Sequence, residues 1–129
     1  MKKRFLALIL VILSVFMLAS CTVIPATHEA HDFLKDEEYI VTPIIEITRA
    51  ELEELYGIST RAEPMYYFEA IDENSERVVF IEFETPEDAK IFIEMARNSL
   101  RDTFKVFAGN GTRTIMATSP NAYDDAIGE

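Results

Sequence analysis

The segment Met65-Tyr66-Tyr67-Phe68-Glu69-Ala70-Ile71-Asp72 is followed, after Glu73-Asn74-Ser75-Glu76, by Arg77-Val78-Val79-Phe80-Ile81-Glu82-Phe83-Glu84. Both segments are rich in aromatic and β-branched residues, which favour strands. Asn and Ser are common turn residues. The pattern predicts a β-hairpin with a two-residue loop. That loop sets the register and gives one apolar core face, made of Tyr66, Phe68, Ala70, Val79, Ile81 and Phe83.

The opposite face of the predicted hairpin mixes aromatic and acidic side chains. Tyr67, Glu69, Phe80 and Glu82 form the candidate binding face, because exposed aromatics beside acids suit a basic protein or peptide partner. The alternative is that the tether, the tail or a second copy of the chain covers this face.

The rest of the domain supplies two helices and two more strands. Residues 39–47 are β-branched and predict a strand, interrupted by Pro43. Thr48-Arg49-Ala50-Glu51 is a capping box, and the short helix that it begins ends at Gly57. Thr85-Pro86 begins a second helix, which we expect to run to about Phe107, although residues 103–108 could also be a strand. Residues 112–119 predict the last strand.

This order of elements, βαββαβ, predicts an α+β fold for residues 39–119. We expect a two-layer, ferredoxin-like sandwich, with an antiparallel sheet and both helices on one face. Pro43 counts against it, because the first strand would be central there. Residues 21–38 are polar and aperiodic and predict a tether, and residues 120–129 predict an acidic, frayed tail.

The N-terminus has the composition of a secretion signal. Lys2, Lys3 and Arg4 precede an apolar run that is shorter than the roughly 20 residues of a membrane-spanning helix. Leu18-Ala19-Ser20-Cys21 resembles the lipobox of bacterial lipoproteins. The resemblance implies that residues 1–20 are removed and that Cys21 carries the lipid, which would hold the chain on the extracytoplasmic face of a cell membrane or outer membrane. An ordinary signal peptide with a chance Cys, or an uncleaved anchor, is the alternative.

The charge of the chain bears on its partners. The net charge of −11 falls to about −14 if residues 1–20 are removed, because three of the twelve basic residues and none of the 23 acidic ones lie there. Such a surface repels nucleic acid, so we expect no nucleic-acid partner.

The residue types available for chemistry are few. Beyond the tether the sequence contains no His, Cys or Trp, which excludes a Ser-His-Asp or Cys-His arrangement and a histidine-ligated zinc site in the domain. His28 and His31 lie in the tether at a spacing that does not match a known zinc motif. We therefore predict no catalytic residue, no metal and no cofactor.

Two further resemblances concern the mature chain. Residues 77–83 with Thr85-Pro86-Glu87-Asp88-Ala89 look like the third strand and second helix of an RNA-recognition module. However, Val78 replaces a stacking aromatic, and the glycine and basic residues are missing, so the likeness implies fold only. Leu52-Glu53-Glu54-Leu55-Tyr56-Gly57-Ile58 resembles small uncharacterised bacterial lipoproteins, a group with no activity to transfer.

Three functions are compatible with the sequence. The first is a non-enzymatic, lipid-anchored binding or accessory module for a protein or peptide. The second is a small-ligand binder or a carboxylate-based enzyme of the cell envelope, which would need a pocket around Glu69, Glu82 or another acid. The third is an envelope inhibitor or exclusion factor, which would also have a protein target.

Overall fold

A computed structural model describes residues 23–129, so Cys21 and the predicted signal lie outside the described residues. The helices are α1 (Thr27–Asp36), α2 (Arg49–Tyr56), α3 (Pro86–Ser99) and α4 (Pro120–Ile127). The strands are β1 (Ile40–Val41), β2 (Ile45–Glu46), β3 (Pro64–Ile71), β4 (Arg77–Phe83), β5 (Val106–Asn110) and β6 (Arg113–Ala117). The fold is mixed α+β, as predicted.

All six strands belong to one antiparallel sheet with the order β1-β3-β4-β6-β5, and β2 also pairs with β3. The ferredoxin-like order is not confirmed. In that order the first predicted strand would lie inside the sheet, whereas residues 40–46 form two short strands at its edge. Pro43 separates these two strands, consistent with the confinement of proline to edges and bulges.

The sheet is covered by helices on both faces. On one face, which we call the α2–α3 face, Leu52 of α2 and Phe92 of α3 pack with Ile81. On the other, the α1–α4 face, Leu34 of α1 and Ala126 of α4 belong to a second core. The two predicted helices, α2 and α3, share one face as expected, but the two-layer arrangement is wrong because it left out α1 and α4 on the other face.

Both of these helices lie in segments predicted to be unstructured. Helix α1 buries Thr27, Ala30 and Leu34, which follow helical spacing. Helix α4 begins at Ser119, whose hydroxyl accepts from the Ala122 amide at 3.1 Å, and Pro120 occupies its first turn. The tether and the tail are thus parts of the folded domain from residue 24 onward.

The C-terminus of α4 is closed by Gly128 in the left-handed region, at φ 82°. A Cβ atom at this position would lie 2.8 Å from the ring of Phe33 in α1. Both the backbone conformation and the close approach of Phe33 therefore favour glycine.

Helix boundaries elsewhere follow the sequence, with one exception. The capping boundaries at Thr48 and Thr85 are confirmed, because each hydroxyl accepts a backbone amide of its helix, from Glu51 and Asp88 respectively. Helix α3, however, ends at Ser99 instead of Phe107, and the segment that could also have been a strand contributes β5.

Candidate functional site

The four residues of the candidate binding face do not share a face. Phe68 pairs with Phe80, and Tyr67 pairs with Ile81, so the hairpin register differs by one residue from the predicted one. The reason is a three-residue loop, in which Ser75 has a positive φ of 67° and the Asp72 amide donates to the Glu76 carbonyl. A shift of one residue moves side chains to the opposite face.

Tyr67 and Phe80 are both core residues on opposite sides of the sheet. Tyr67 is 7% exposed and faces α2 and α3, whereas Phe80 is fully buried under α1 and α4. The rings of Phe80 and Phe68 stack with their centroids 5.3 Å apart. Neither aromatic side chain is available to a partner. The predicted binding face is therefore wrong: its aromatic residues belong to two different buried cores.

Tyr67 and Glu69 belong to a polar network on the α2–α3 face. The Tyr67 hydroxyl lies 3.3 Å from that of Tyr56 and donates to Glu69 Oε1 at 3.4 Å. Arg77 Nε donates to Glu69 Oε2 at 2.6 Å, and the guanidinium carbon lies 5.2 Å from the ring centroid of Phe104. Each polar side chain of this network has a hydrogen-bond partner. The network is therefore suited to holding α2 and the hairpin together.

Burial changes the acidity of the two tyrosines in this network. Removal from water raises the pKa of Tyr56 and of Tyr67, because the charged phenolate is poorly solvated there. The nearby Glu69 carboxylate raises both pKa values further, and Arg77 opposes it.

The stability of the domain is expected to fall at high pH for this reason. In the unfolded chain both tyrosines ionise near their ordinary pKa of 10.0, whereas Tyr56 and Tyr67 of the folded domain stay neutral at that pH. The stabilisation is complete below that pH and is lost as the pH rises above it. Urea unfolding midpoints at about pH 8 and about pH 11 test this, with Y56F/Y67F as the control that loses less. Reversible ionisation of all tyrosines near pH 10 in the folded protein would contradict it.

Glu82 lies at the end of β4 and binds the N-terminal segment. The Thr27 hydroxyl donates to Glu82 Oε1 at 2.6 Å, and the Thr112 hydroxyl donates to Oε2 at 3.2 Å. The neighbouring Arg113 donates to the carbonyl of Ile24, at 2.9 Å. Each carboxylate oxygen of Glu82 thus has a hydrogen-bond partner. Together with the Arg113 contact, these bonds hold the segment from Ile24 onward against the sheet.

One surface that remains open to a partner is a groove between α2 and β2. Ile45, Ile47, Glu51, Glu54 and Leu55 line it, with a volume of about 460 Å³. Ile45 is 50% exposed and Leu55 is 53% exposed, although both are large apolar side chains. We call these five residues the α2–β2 groove.

The local sequence explains why this groove is open. Ile45 lies opposite Tyr67 in β3 and therefore on the same face, but at the edge of the sheet. Helix α2 turns Leu52 into the core and leaves Leu55 outside. The side chain of Glu51 is held at the start of α2 by the amide of Thr48, at 2.9 Å. The groove is thus an apolar floor with acidic walls.

Two features are absent from the part of the chain that the structure describes. Within residues 23–129 no three His, Cys, Asp or Glu side chains are close enough together to hold a metal ion. No helix among these residues is both long and apolar enough to cross a bilayer.

Sequence reasoning singled out neither Ile45 nor Leu55 as a site residue. Leu52, Leu55 and Tyr56 have the i, i+3, i+4 spacing of one helix side, so no local signal indicated that Leu55 stays exposed. No family model, no curated protein and no solved structure matches this chain.

Proposed function

We propose that this chain is a lipid-anchored, non-enzymatic binding module whose α2–β2 groove receives an apolar and basic segment of a protein partner. The observation that carries the proposal is the pair of exposed apolar side chains, Ile45 and Leu55, between the acidic side chains of Glu51 and Glu54. An exposed apolar patch rimmed by charge is typical of interaction sites.

The groove favours a basic partner for electrostatic reasons. Glu51 and Glu54 are exposed, and the chain as a whole carries a net charge of −11. Charge complementarity speeds encounter and selects against acidic partners. The apolar floor supplies the contact that a bound Leu, Met or aromatic side chain would bury, at roughly 25 cal/mol per Å².

The proposed membrane anchor is a lipid on Cys21, because residues 18–21 resemble a lipobox. Ile24 is only 2% exposed, and its carbonyl accepts from Arg113. Two residues, Thr22 and Val23, separate Ile24 from Cys21, and each residue spans at most about 3.6 Å. A lipid on Cys21 would therefore hold the domain close to the membrane, so the partner would lie in or beside the same membrane.

A photocrosslinking amino acid at position 55, in the full chain and in intact membranes, tests the groove. The control carries the same crosslinker at Ile71, which is apolar and 42% exposed but lies outside the groove. We expect position 55 to capture a specific protein, position 71 not to capture it, and E54K to reduce its capture about tenfold.

Two outcomes would contradict the proposed function. One is capture of the same proteins at positions 55 and 71, which would indicate non-specific contact. The other is no protein at position 55 while the variant remains folded and membrane-bound.

A further inference from the structure

Three of the nine basic residues in the described part of this acidic chain lie close together on its surface. Arg97, Arg101 and Lys105 are exposed within nine positions, and Asp102 is the only acidic residue in that stretch. They line a shallow hollow of about 600 Å³ together with Asn98, Phe104, Val106 and Phe107. We call this surface the α3–β5 patch.

The patch also has an apolar component. Val106 and Phe107 of β5 are only partly buried, Val106 on the α1–α4 face and Phe107 on the α2–α3 face, where α3 lies. Arg97 Nη2 donates to the Phe107 carbonyl at 3.1 Å, which holds the guanidinium beside this edge strand. The α3–β5 patch therefore presents basic side chains next to apolar ones.

The α3–β5 patch and the α2–β2 groove lie at opposite edges of the sheet. Strand β5 is the last strand at one edge, and β2 pairs with β3 near the other edge. Helices α2 and α3 both pack on the same face. Helix α2 lies near β3, where the Tyr56 hydroxyl is 3.3 Å from that of Tyr67, whereas α3 packs over β5. One molecule thus carries an acidic, apolar groove on one side and a basic, apolar patch on the other.

We propose that the partner of the α2–β2 groove is a second copy of this chain, bound through its α3–β5 patch. This inference rests on the proposed function of the groove and names its occupant. In such a contact Arg101 and Lys105 of one copy lie near Glu51 and Glu54 of the next. Ile45 and Leu55 of one copy pack against Phe107 at the β5 edge of the other.

Such a contact is head-to-tail, because it joins two different surfaces. Each added copy leaves one groove and one patch open, so the association continues into rows unless the geometry closes a ring. The large negative net charge opposes association at long range, but salt screens it beyond about 8 Å. Copies held on one membrane have a high effective concentration, which makes a weak contact sufficient.

Disulfide crosslinking in intact membranes tests the arrangement with the full chain. Leu55 and Asn98 are exposed residues of the groove and the patch. After mild oxidation we expect L55C/N98C to form a ladder of dimers, trimers and larger species. The single variants L55C and N98C should remain monomers, since a head-to-tail contact never brings two identical positions together. The unmodified chain controls for crosslinking through Cys21.

Charge reversal then tests the complementarity in the L55C/N98C background. E51Q/E54K alters the groove, and Gln at position 51 keeps the capping box. R101E/K105E alters the patch. We expect each pair of changes to reduce the ladder about tenfold and the combination to restore it. The control E37Q/E73K makes the same change of net charge as E51Q/E54K, at exposed positions outside both surfaces, and should leave the ladder unchanged.

Three results would overturn the inference: no ladder from L55C/N98C, a dimer from L55C alone, or a ladder that the combined reversal fails to restore. These results are separable from failure of the proposed function. If the crosslinker at position 55 captures a different protein and no ladder forms, the groove binds a partner but that partner is not a second copy. If position 55 captures nothing and no ladder forms, both proposals fail.

Discussion

Phe80→Ala is expected to lower the free energy of unfolding by about 3–5 kcal/mol. Phe80 is fully buried, stacks on Phe68 and lies in the core under α1 and α4. Truncating it removes the transfer free energy of the ring and leaves a cavity in a packed layer. The total stability of a domain of this size is of order 5–15 kcal/mol, so the loss is a large part of it.

Urea unfolding of the purified chain, residues 22–129, measures this loss. Ile40→Ala is the matched control, because Ile40 is 77% exposed and its truncation should change the stability by less than about 0.5 kcal/mol. A Phe80→Ala variant as stable as the unmodified chain would mean that this face is open, as the sequence pattern indicated. Because Tyr67 is also buried, substituting both Tyr67 and Phe80 would strongly destabilise the domain and cannot test a binding site.

Leu34→Ala is the second large effect, expected at about 2–5 kcal/mol. Leu34 belongs to a segment that the sequence pattern indicated to be a tether, where such a change would have almost no effect. In the structure it is fully buried and packs in the core between α1, α4 and the sheet. The size of the effect therefore distinguishes a folded α1 from a flexible tether.

The control for this prediction lies on the same helix. Lys35 is exposed and adjacent in sequence, so Lys35→Ala should shift the unfolding midpoint very little. Equal and small effects of Leu34→Ala and Lys35→Ala would show that α1 does not contribute to the core.

The parts of the fold that the sequence predicted correctly have strong local signals. The hairpin segments, the capping box at Thr48, the Thr85-Pro86 helix start and the strand after Gly111 depend on residues within a few positions. Strand order is different, because it depends on contacts between distant residues. Nothing local shows that β6 pairs directly with β4 and that residues 40–46 remain at the edge.

The error in the candidate site arose because the hairpin loop is one residue longer than predicted. A two-residue loop at Asn74-Ser75 requires a positive φ at Asn74, whereas in the observed three-residue loop the positive φ is at Ser75. Both loops suit Asn and Ser, so composition does not decide between them. Because every side chain of one strand changes face with the register, this small ambiguity separated Tyr67 from Phe80.

The two helices that were not predicted, α1 and α4, differ in the strength of their local sequence signals. Ser119-Pro120 repeats the Thr85-Pro86 pattern of a cap followed by proline, and this signal could have identified α4. Ala26, which precedes helix α1, has no polar side chain that could cap the helix. The buried apolar residues of the helix are Ala30 and Leu34, which make a weak pattern. Helix α1 is stabilised by packing on β3, β4 and α4, which a local pattern does not reveal.

The central claim is that helices cover both faces of the sheet and leave the α2–β2 groove as the surface for a partner. Amide hydrogen exchange of the full, membrane-held chain tests it most directly, because exchange rates report local opening. The account predicts that amides of α1 and α4 exchange nearly as slowly as those of β4, which they cover. Exchange of residues 27–36 and 120–127 at the rate of an unfolded chain would contradict it and would return the Phe80 face to the surface.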